Sequence, residues 1–402
     1  MVTGLREMFD EVAEAPSPPS YLVADDVYTA GRRRRTRNGI VKSVVAAVAL
    51  VAAVGVGSAI TTTRDGAAPA PADSTVPAPD VSGPVQWVGA ADAEHIYAAY
   101  PACPDGSCNK TWVRLVASDD GGDTWQARGP KIEIVDLVLV DRQTLVVVGP
   151  KAALTVSVDG GRTWSAATRA PKALDAVPAG GAAICATPDE GACQVYAVDP
   201  KSKMYAPLSM QPDGTLLAGP VGNTAGVLWI AGTTGKPCRP TVSMSADGGH
   251  TWATRGIPDP PGGALRCDPV RISTTADGRT AYAVTRGTGA ASRSAYRVQA
   301  SGAPELLATI DTVNGGDGSF VAADGTHMLS QNVSGEPLDE VRWLAAGADG
   351  YRPITLDGLP GAVSPVRRAA DGWFYTHSYG PDRSIYGSTD GRHWSPVPTP
   401  GR

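Results

Sequence analysis

The chain has 402 residues, with 47 glycines, 34 prolines and a formal net charge of −5 at pH 7. A weakly acidic chain lacks the broad positive field of nucleic-acid-binding proteins, and its 5 scattered histidines offer no metal-ligand spacing. We therefore expect no nucleic-acid partner, no metal and no other cofactor, and the abundant glycine and proline favour many short strands joined by tight turns.

Residues 1–38 are predicted to form a cytoplasmic stub. Leu5, Met8, Phe9 and Val12 lie on one face of a helical pattern, which ends at the proline-rich residues 16–19. Two interpretations remain open: a solvated stub, or a small helix that binds a cytoplasmic partner such as a sigma factor. The His/Cys pattern of zinc-type anti-sigma domains is absent from the sequence.

Residues 39–60 are predicted to be a transmembrane signal-anchor. The stretch from Ser43 to Ile60 contains no charged residue and has about the minimum length of a spanning helix. Six basic residues lie between positions 32 and 42, whereas only Arg64 follows closely, so the positive-inside rule places the N-terminus in the cytoplasm. A cleaved signal peptide is the alternative, but its n-region of about 42 residues would be unusually long.

Residues 61–84 are predicted to be a Pro/Ala-rich linker. Five prolines among small residues favour an extended, disordered spacer. At about 3.1 Å per residue it would span up to roughly 70 Å. Such a linker would hold the following domain away from the membrane and within a cell wall.

A short pattern, Ser-x-Asp-x-Gly-x-x-Trp, occurs four times after the linker, the last copy being one residue shorter. Glycine supplies backbone angles that other residues avoid, Ser and Asp bind the turn backbone, and Trp packs into a core. We therefore expect each copy to close a hairpin between the third and fourth strands of a repeat, as a structural rather than a catalytic element. The defining residues are Ser118, Asp120, Gly122 and Trp125; Ser157, Asp159, Gly161 and Trp164; Ser245, Asp247, Gly249 and Trp252; and Ser388, Asp390, Gly391 and Trp394.

This pattern resembles the Asp box, or BNR repeat, of sialidase-like β-propellers. The four copies start 39, 88 and 143 residues apart, which corresponds to one, two and three repeats of about 45 residues. Degenerate copies at 196–205, 296–305 and 344–351 fill the longer intervals. The sequence therefore predicts an all-β fold, a seven-bladed β-propeller over residues 85–402, with four strands in each blade counted from the innermost strand outward.

The six cysteines are an even number in a domain predicted to lie outside the cell, which favours disulfides. The blade assignment places all of them on loops of one face, which we call the loop face; the four box loops lie on the opposite face, the box face. A stapled loop face suggests a preorganised ligand-binding surface, with extracellular durability as the alternative reason. The predicted pairs are Cys103–Cys108, Cys185–Cys193 and Cys238–Cys267.

The resemblance to sialidases implies a catalytic set that the sequence does not supply. Those enzymes clamp a carboxylate with three arginines and use a Tyr–Glu pair and an Asp acid/base. The Arg-Ile-Pro or Arg-Leu-Pro motif expected before the first box is missing, because residues 85–117 contain only Arg114. Arg271 and either Arg367 or Arg368 lie on predicted inner strands and could face the channel. No catalytic residues are assigned.

Blade 7 has a composition suited to ligand contact. Tyr379 and Arg383 follow its second strand, and Tyr100 holds the matching position in the adjacent blade 1. Aromatic rings stack on sugars and peptide side chains, and Arg binds carboxylates, whereas Trp373 and Tyr375 are expected to be core residues of the strand. The predicted ligand contacts are Tyr100, Arg271, Arg367, Tyr379 and Arg383.

The leading hypothesis is a single-pass cell-membrane protein that displays its propeller outside the cell. The propeller would act as a binding or sensory module for a cell-wall glycan, a peptide or a protein. In carrying boxes without a catalytic set, the chain resembles sortilin-type receptors and photosystem II assembly factors. The alternative is an exo-acting glycoside hydrolase of the sialidase (exo-alpha-sialidase) type. The Ala, Gly, Arg and Val bias is typical of a high-GC genome and favours an actinobacterial source.

Overall fold

A ring of seven β-sheets makes the chain a seven-bladed β-propeller and confirms the predicted blade number. The computed structural model describes residues 79–400 except 80, 82, 103–111, 151–152, 187–192, 217–220, 269, 289–291, 312–317, 333–340, 362 and 380–383. Every named element of these residues is a strand. Within the same residues, no helix has the length and apolar character to span a membrane. The predicted stub and signal-anchor lie outside the described residues, as do residues 61–78 of the linker.

Blades 1 and 2 follow the predicted order of four antiparallel strands from the channel outward. Alternate side chains face opposite neighbours, so Val88 packs towards blade 7 while Trp87 packs towards blade 2. Blade 1 contains β1 (Trp87–Ala90), β2 (Ile96–Pro101), β3 (Trp112–Ser118) and β4 (Gln126–Glu133). Blade 2 contains β5 (Asp136–Leu139), β6 (Leu145–Val148), β7 (Leu154–Ser157) and β8 (Ser165–Ala166).

Blade 3 differs from the prediction. Its strands are β9 (Thr168–Arg169), β10 (Ala182–Ala186), β11 (Gln194–Asp199) and β12 (Met204–Pro207). β10, β11 and β12 occupy the second, third and fourth positions, because the β10–β11 loop lies on the loop face and the β11–β12 turn takes the place of a box. β9 runs parallel to β12 at the outer edge, and no described residue fills the inner position.

Residues 170–181 thus do not form the inner strand expected of blade 3, and the local sequence explains why. Pro171 and Pro178 lack a backbone N–H, and Gly180 and Gly181 resist extended order. The segment stays outside the channel: Leu174 bridges Leu208 of blade 3. Further along, the N–H of Val177 donates to the carbonyl of Gly248 (2.8 Å) in a box loop of blade 4.

Blade 4 has an inner strand in two parts, both paired with the same neighbour. Of the residues between the two parts, 217–220 lie outside the described set. Its strands are β13 (Thr215–Leu216), β14 (Gly222–Thr224), β15 (Val227–Thr234), β16 (Arg239–Ser245) and β17 (Ala253–Gly256).

Blades 5 to 7 again contain four antiparallel strands each. Blade 5 contains β18 (Arg271–Thr274), β19 (Thr280–Arg286), β20 (Ser292–Gln299) and β21 (Glu305–Asp311). Blade 6 contains β22 (Ser319–Val321), β23 (His327–Asn332), β24 (Val341–Gly347) and β25 (Gly350–Ile354). Blade 7 contains β26 (Arg367–Arg368), β27 (Phe374–His377), β28 (Ile385–Ser388) and β29 (Ser395–Val397). The three predicted degenerate repeats coincide with the hairpins β11–β12, β20–β21 and β24–β25.

The ring closes where blade 7 meets blade 1. Tyr100 and Val88 of blade 1 share a buried apolar cluster with Tyr375 and Val397 of blade 7. The indole Nε1 of Trp125 also donates a hydrogen bond to the carbonyl of Pro398 (2.9 Å). Blade 1 contains the first strands of the propeller and blade 7 the last. We call their junction the seam; side-chain contacts hold it together, and the two blades share no sheet among the described strands.

Hydrogen bonds between side chains and backbone hold the turns of the box loops together. In the loop of blade 2, the buried Ser157 hydroxyl accepts a hydrogen bond from the N–H of Gly161 (2.8 Å) and donates one to Asp159 (2.8 Å). The Asp159 carboxylate also accepts hydrogen bonds from the N–H and hydroxyl of Thr163 (2.8 and 2.6 Å). The loops at 118–125 and 245–252 repeat these bonds. Gly161 has φ +81°, a conformation that favours glycine.

Acid should weaken the box loops. Partial burial raises the pKa of the Asp247 carboxyl, but hydrogen bonds from the hydroxyl and N–H of Thr251 lower it by a larger amount. The resulting pKa is about 2. An unfolded Asp titrates near pH ~3.9, so this contribution to stability is present above that pH and is lost as the pH falls towards 2.

We expect Asp247→Asn to lower the urea midpoint at pH 7 and to change it little at pH 2; solvent screening keeps the effect modest. Asp349→Asn, on an exposed turn outside the boxes, is the control. An equal loss at both pH values would contradict the prediction.

Two of the three predicted disulfides are present. Cys185 pairs with Cys193 and Cys238 with Cys267, at Cα–Cα distances of 5.6 and 5.8 Å that suit a disulfide. The first flanks the β10–β11 loop, and the second joins the β15–β16 turn to the crossing between blades 4 and 5, so both lie on the loop face. Cys103 and Cys108 lie outside the described residues, and their pairing stays a prediction.

Candidate ligand-binding site

The inner strands place two of the predicted ligand contacts at the channel. Each inner strand follows a crossing on the loop face, so its first residue lies at the loop-face end of the channel. Arg271 is the first residue of β18 and Arg367 the first residue of β26, and both side chains are exposed. Blade 6 separates them, so they do not share one blade junction.

Arg367 lies at the seam between blades 7 and 1. It is directly opposite Tyr375 in the β26–β27 ladder, and its guanidinium donates a hydrogen bond to the Tyr375 hydroxyl, which also bonds to the backbone of Ala90 in blade 1. Burial raises the pKa of Tyr375, so the hydroxyl is neutral and cannot balance the charge of Arg367. None of the acidic side chains that the structure describes forms an ion pair with Arg367.

A histidine and an exposed tyrosine continue this site towards the loop face. His377 is the last residue of β27, and its Nδ1 lies 3.0 Å from the hydroxyl of the buried Ser364. Burial lowers the pKa of His377 to about 4, with a further contribution from the positive charge of Arg367. The imidazole is therefore neutral at pH 7. The Tyr379 ring contacts it edge-on, with centroids 5.8 Å apart, and is 48% exposed.

Arg368, the alternative to Arg367, has a different environment. Its guanidinium carbon lies 5.1 Å from the centroid of the Phe374 ring, and its Nε donates to the carbonyl of Gly372 (3.3 Å). Phe374 packs against Phe320 in the cluster between blades 6 and 7. Arg368 is thus occupied by structural contacts, and Arg367 is the exposed arginine of this strand.

Each of the other predicted contacts is buried, lies away from the seam or falls outside the described residues. Tyr100 is 5% exposed and packs within the seam cluster, so its ring offers little surface for stacking. Trp373 and Tyr375 are buried core residues, as expected. Arg271 lies in blade 5, away from the seam, and Arg383 lies outside the described residues. The described part of the predicted site therefore contains Arg367 and Tyr379, joined by His377, which was not among the predicted contacts.

A second polar cluster, between blades 5 and 6, was not predicted. The buried His327 contacts the Ser319 hydroxyl through Nε2 (2.8 Å) and the Tyr351 hydroxyl through Nδ1. The ring of Tyr282 stacks on its imidazole at 4.3 Å, and Ser319 lies 2.6 Å from Ser273. These residues come from five separate strands in two blades, so no local motif could have revealed them.

The protonation states of this cluster indicate a structural role. Burial lowers the pKa of His327 to about 3 and raises that of Tyr351, so both groups are neutral. A neutral phenol donates to Nδ1, which leaves the proton on Nε2 directed at Ser319. Because Nε2 is then a donor, it cannot accept the Ser319 proton as the histidine of a catalytic triad does. The chain of hydrogen bonds ties the two blades together.

The described residues do not assemble a sialidase catalytic set. Glu94 lies in the turn of blade 1 on the box face, Glu133 ends the outer strand β4, and Glu305 pairs with Arg297 (2.5 Å) on outer strands. None of these carboxylates adjoins a tyrosine at the channel mouth. Within the same residues, no group of histidine, cysteine and acidic side chains could hold a metal ion.

Comparison with known proteins gives only low similarities. No family model and no curated protein matches the sequence. Similar solved structures include YCF48 bound to a D1 peptide, at 12% identity over 79% of this chain and 83% of that chain, with a TM-score of 0.36. An Aleuria aurantia lectin in complex with α-methyl-L-fucoside has 11% identity, over 78% and 94% of the chains, and a TM-score of 0.37. Virginiamycin B lyase from Staphylococcus aureus has 10% identity, over 79% and 84%, and a TM-score of 0.37. Similarities this low carry no argument about function.

Proposed function

We propose that this chain is an extracytoplasmic binding module, anchored by residues 39–60, which holds its ligand at the loop-face end of the seam between blades 7 and 1. The ligand is a cell-wall glycan, a peptide or a protein. The proposal also assigns the chain to the Asp-box propellers on the strength of its four box loops. The anchor rests on the residue pattern alone, and its test is whether the chain isolated from membranes still begins at Met1.

The observation that carries the proposed site is that none of the described acidic side chains forms an ion pair with Arg367. An exposed guanidinium with no acidic partner among the described residues is available for a carboxylate, which it can bind through two parallel hydrogen bonds. The neighbouring Tyr375 and His377 are neutral and held by their own hydrogen bonds, so they position the guanidinium without balancing it. The ligand is therefore expected to carry a negative group.

Tyr379 supplies the second half of the recognition surface. Its ring is 48% exposed beside the buried His377, and an exposed aromatic face stacks on sugar rings or on apolar side chains. An anionic group at Arg367 with a flat apolar face on Tyr379 describes an acidic glycan or a peptide with a free carboxylate.

The test compares acidic probes with their neutral counterparts. The probes are uronic-acid oligosaccharides and peptides with a free C-terminal carboxylate, each measured beside its methyl ester or amide. We expect Arg367→Gln in the full-length chain to weaken binding of the acidic probes by about tenfold or more, because a charge-assisted hydrogen bond contributes about 1.5–3 kcal/mol. Binding of the neutral counterparts should not change.

Arg352→Gln is the matched control, since Arg352 is 75% exposed on an outer strand away from the seam. Tyr379→Ala should weaken acidic and neutral probes alike, because stacking does not depend on the charge. If Arg367→Gln and Arg352→Gln have the same effect, Arg367 is not part of a ligand site.

The alternative function is an exo-acting glycoside hydrolase of the sialidase type, and it is favoured by the exposed inner-strand arginines Arg271 and Arg367. A fluorogenic sialoside distinguishes the two functions. Robust turnover that is abolished by Arg271→Ala or Arg367→Ala would replace the binding module with the enzyme.

A further inference from the structure

His377 at the seam has one ring nitrogen to which none of the described residues is hydrogen-bonded. Its Nδ1 lies 3.0 Å from the Ser364 hydroxyl, and Nε2 is the nitrogen that remains. The side chain is 9% exposed, and Nε2 is not among the described polar atoms that are both buried and without a partner. A ligand at the loop-face end of the seam can therefore reach this nitrogen.

The strand register places His377 beside Arg367. Arg367 is directly opposite Tyr375 in the β26–β27 ladder, and His377 is two residues further towards the loop face. Alternate residues of a strand share one face, and diagonal neighbours on adjacent strands are within reach of long side chains. Burial, and to a smaller extent the positive charge of Arg367, lowers the pKa of His377. Nε2 and the guanidinium therefore belong to one site.

The hydrogen bonds of Ser364 show which ring nitrogen of His377 carries the proton. The Thr376 hydroxyl donates to the carbonyl of Ser364 (2.8 Å), which uses its single proton. The contact between the Thr376 and Ser364 hydroxyls (3.1 Å) then requires the proton of Ser364. A hydroxyl has one proton and two acceptor sites, so the Ser364 oxygen accepts from the backbone N–H of His377 (3.3 Å) and from its Nδ1–H.

Nε2 is therefore the unprotonated nitrogen and a hydrogen-bond acceptor. The other tautomer would direct the Ser364 proton at Nδ1 and leave the Ser364 and Thr376 oxygens 3.1 Å apart with no proton between them. Because the pKa of His377 is about 4, the ring gains no second proton at pH 7. The site thus presents a cationic donor, Arg367, next to a neutral acceptor.

This pair of groups distinguishes the two kinds of acidic ligand that fit the proposed site. In the last residue of a peptide, the carbon next to the carboxylate carries an N–H, which can donate to Nε2. In a uronic acid the same carbon carries the ring oxygen, which has lone pairs only and would face the lone pair of Nε2. A site that forms a hydrogen bond to one ligand rejects an analogue that leaves the partner unpaired.

We propose that His377 makes this site selective for the C-terminal residue of a peptide, whose N–H donates to Nε2 while Arg367 binds its carboxylate. Tyr379 contacts the side chain of the same residue. The inference rests on the proposed function, since it requires a carboxylate at Arg367. It narrows the ligand from an acidic glycan or a peptide to the end of a peptide chain.

The test changes one group of the ligand. The probe is acetyl-Gly-Ser-Ala-Ala-Leu with a free carboxylate, and its counterpart is the depsipeptide in which an ester oxygen replaces the last amide N–H. The two have the same charge and nearly the same shape, but the depsipeptide has an acceptor where the peptide has a donor. Isothermal titration calorimetry with the full-length chain should show about tenfold weaker binding of the depsipeptide or worse, because one hydrogen bond corresponds to roughly that factor.

Two variants of the protein assign this difference to Nε2. The amide of His377→Asn can donate to Ser364 as Nδ1–H does, but no atom of it reaches the position of Nε2. We expect this variant to bind the peptide about tenfold more weakly and to bind peptide and depsipeptide equally. Arg367→Gln should weaken both probes and leave the ratio of their affinities unchanged. Urea unfolding checks that both variants are folded.

The results separate this inference from the proposed function. Failure of Arg367→Gln to weaken either probe would remove the binding site itself. If Arg367→Gln acts as expected, the role of His377 is overturned by equal binding of peptide and depsipeptide to the unaltered chain, or by a ratio that persists in His377→Asn.

A third ligand, the methyl glycoside of galacturonic acid, tests the class of ligand directly. It carries one carboxylate, as the peptide does, and we expect it to bind more weakly. Absence of peptide binding, or tighter binding of this glycoside than of the peptide, would overturn the assignment to a peptide terminus. If His377→Asn does not fold, the three ligands on the unaltered chain still decide the matter.

Discussion

Trp229→Ala is expected to lower the free energy of unfolding of the propeller by about 3–5 kcal/mol, the usual range for deleting a buried tryptophan. Trp229 is 1% exposed and fills the cluster between blades 4 and 5. Its Nε1 donates to the carbonyl of Gly278 (2.7 Å) in the next blade. Alanine would leave a cavity and a buried carbonyl without its donor, and both effects act in the same direction.

Two further variants separate these effects. Trp229→Phe keeps most of the apolar volume but removes the donor, so we expect a smaller loss of about 1–3 kcal/mol. Met210→Ala is the control, because Met210 is 55% exposed and surface substitutions usually change stability by less than about 0.5 kcal/mol. Urea unfolding followed by circular dichroism measures all three. A loss for Trp229→Ala no larger than that for Met210→Ala would contradict the assigned packing.

Removal of the Cys238–Cys267 disulfide should destabilise the propeller more than removal of Cys185–Cys193. The first closes a loop with a sequence separation of 29 and the second a separation of 8. In the chain-entropy model these loops correspond to about 3.5 and about 2.5 kcal/mol, so the difference is about 1 kcal/mol. The double variants Cys238→Ala/Cys267→Ala and Cys185→Ala/Cys193→Ala provide the comparison, measured by thermal or urea unfolding.

The same experiment includes a check on the disulfides themselves. Intact mass after alkylation without prior reduction should be unchanged at these four cysteines. A mass increase would show free thiols and would remove the basis of the prediction. A larger loss for the Cys185–Cys193 variant would instead mean that local strain or packing outweighs loop entropy at these sites.

The regular part of this fold was predictable because its turn chemistry is local. Each clear box combines a glycine with positive φ, such as Gly161, with a hydroxyl and a carboxylate that bind the same turn, and this combination leaves a pattern within eight consecutive positions. The spacing of the boxes then located the degenerate hairpins, including β20–β21. The disulfides at Cys185 and Cys238 followed from that assignment of blades.

The structure differs from the prediction where contacts between residues far apart in the sequence determine the conformation. Pro178 and Gly180 mark the segment that does not form an inner strand. The number of repeats was predicted from the spacing of the boxes, which takes no account of the residues between them. Tyr100 was expected where a loop begins, which suggested exposure, whereas it lies within β2 and its ring is buried by blade 7, far away in the sequence. His377 was overlooked because its importance depends on Arg367 and Tyr379 being brought to the same end of the channel.

The seam has a consequence for the order in which this molecule folds. The hydrogen bond between Trp125 and Pro398 joins residues 273 positions apart, and loop-closure entropy makes such contacts form late. During synthesis, one apolar face of blade 1 therefore stays uncovered until the strands of blade 7 have been made. A molecule that binds across Arg367 and the seam would hold the first and last blades together, acting as a clasp for the whole ring rather than as an occupant of one local site.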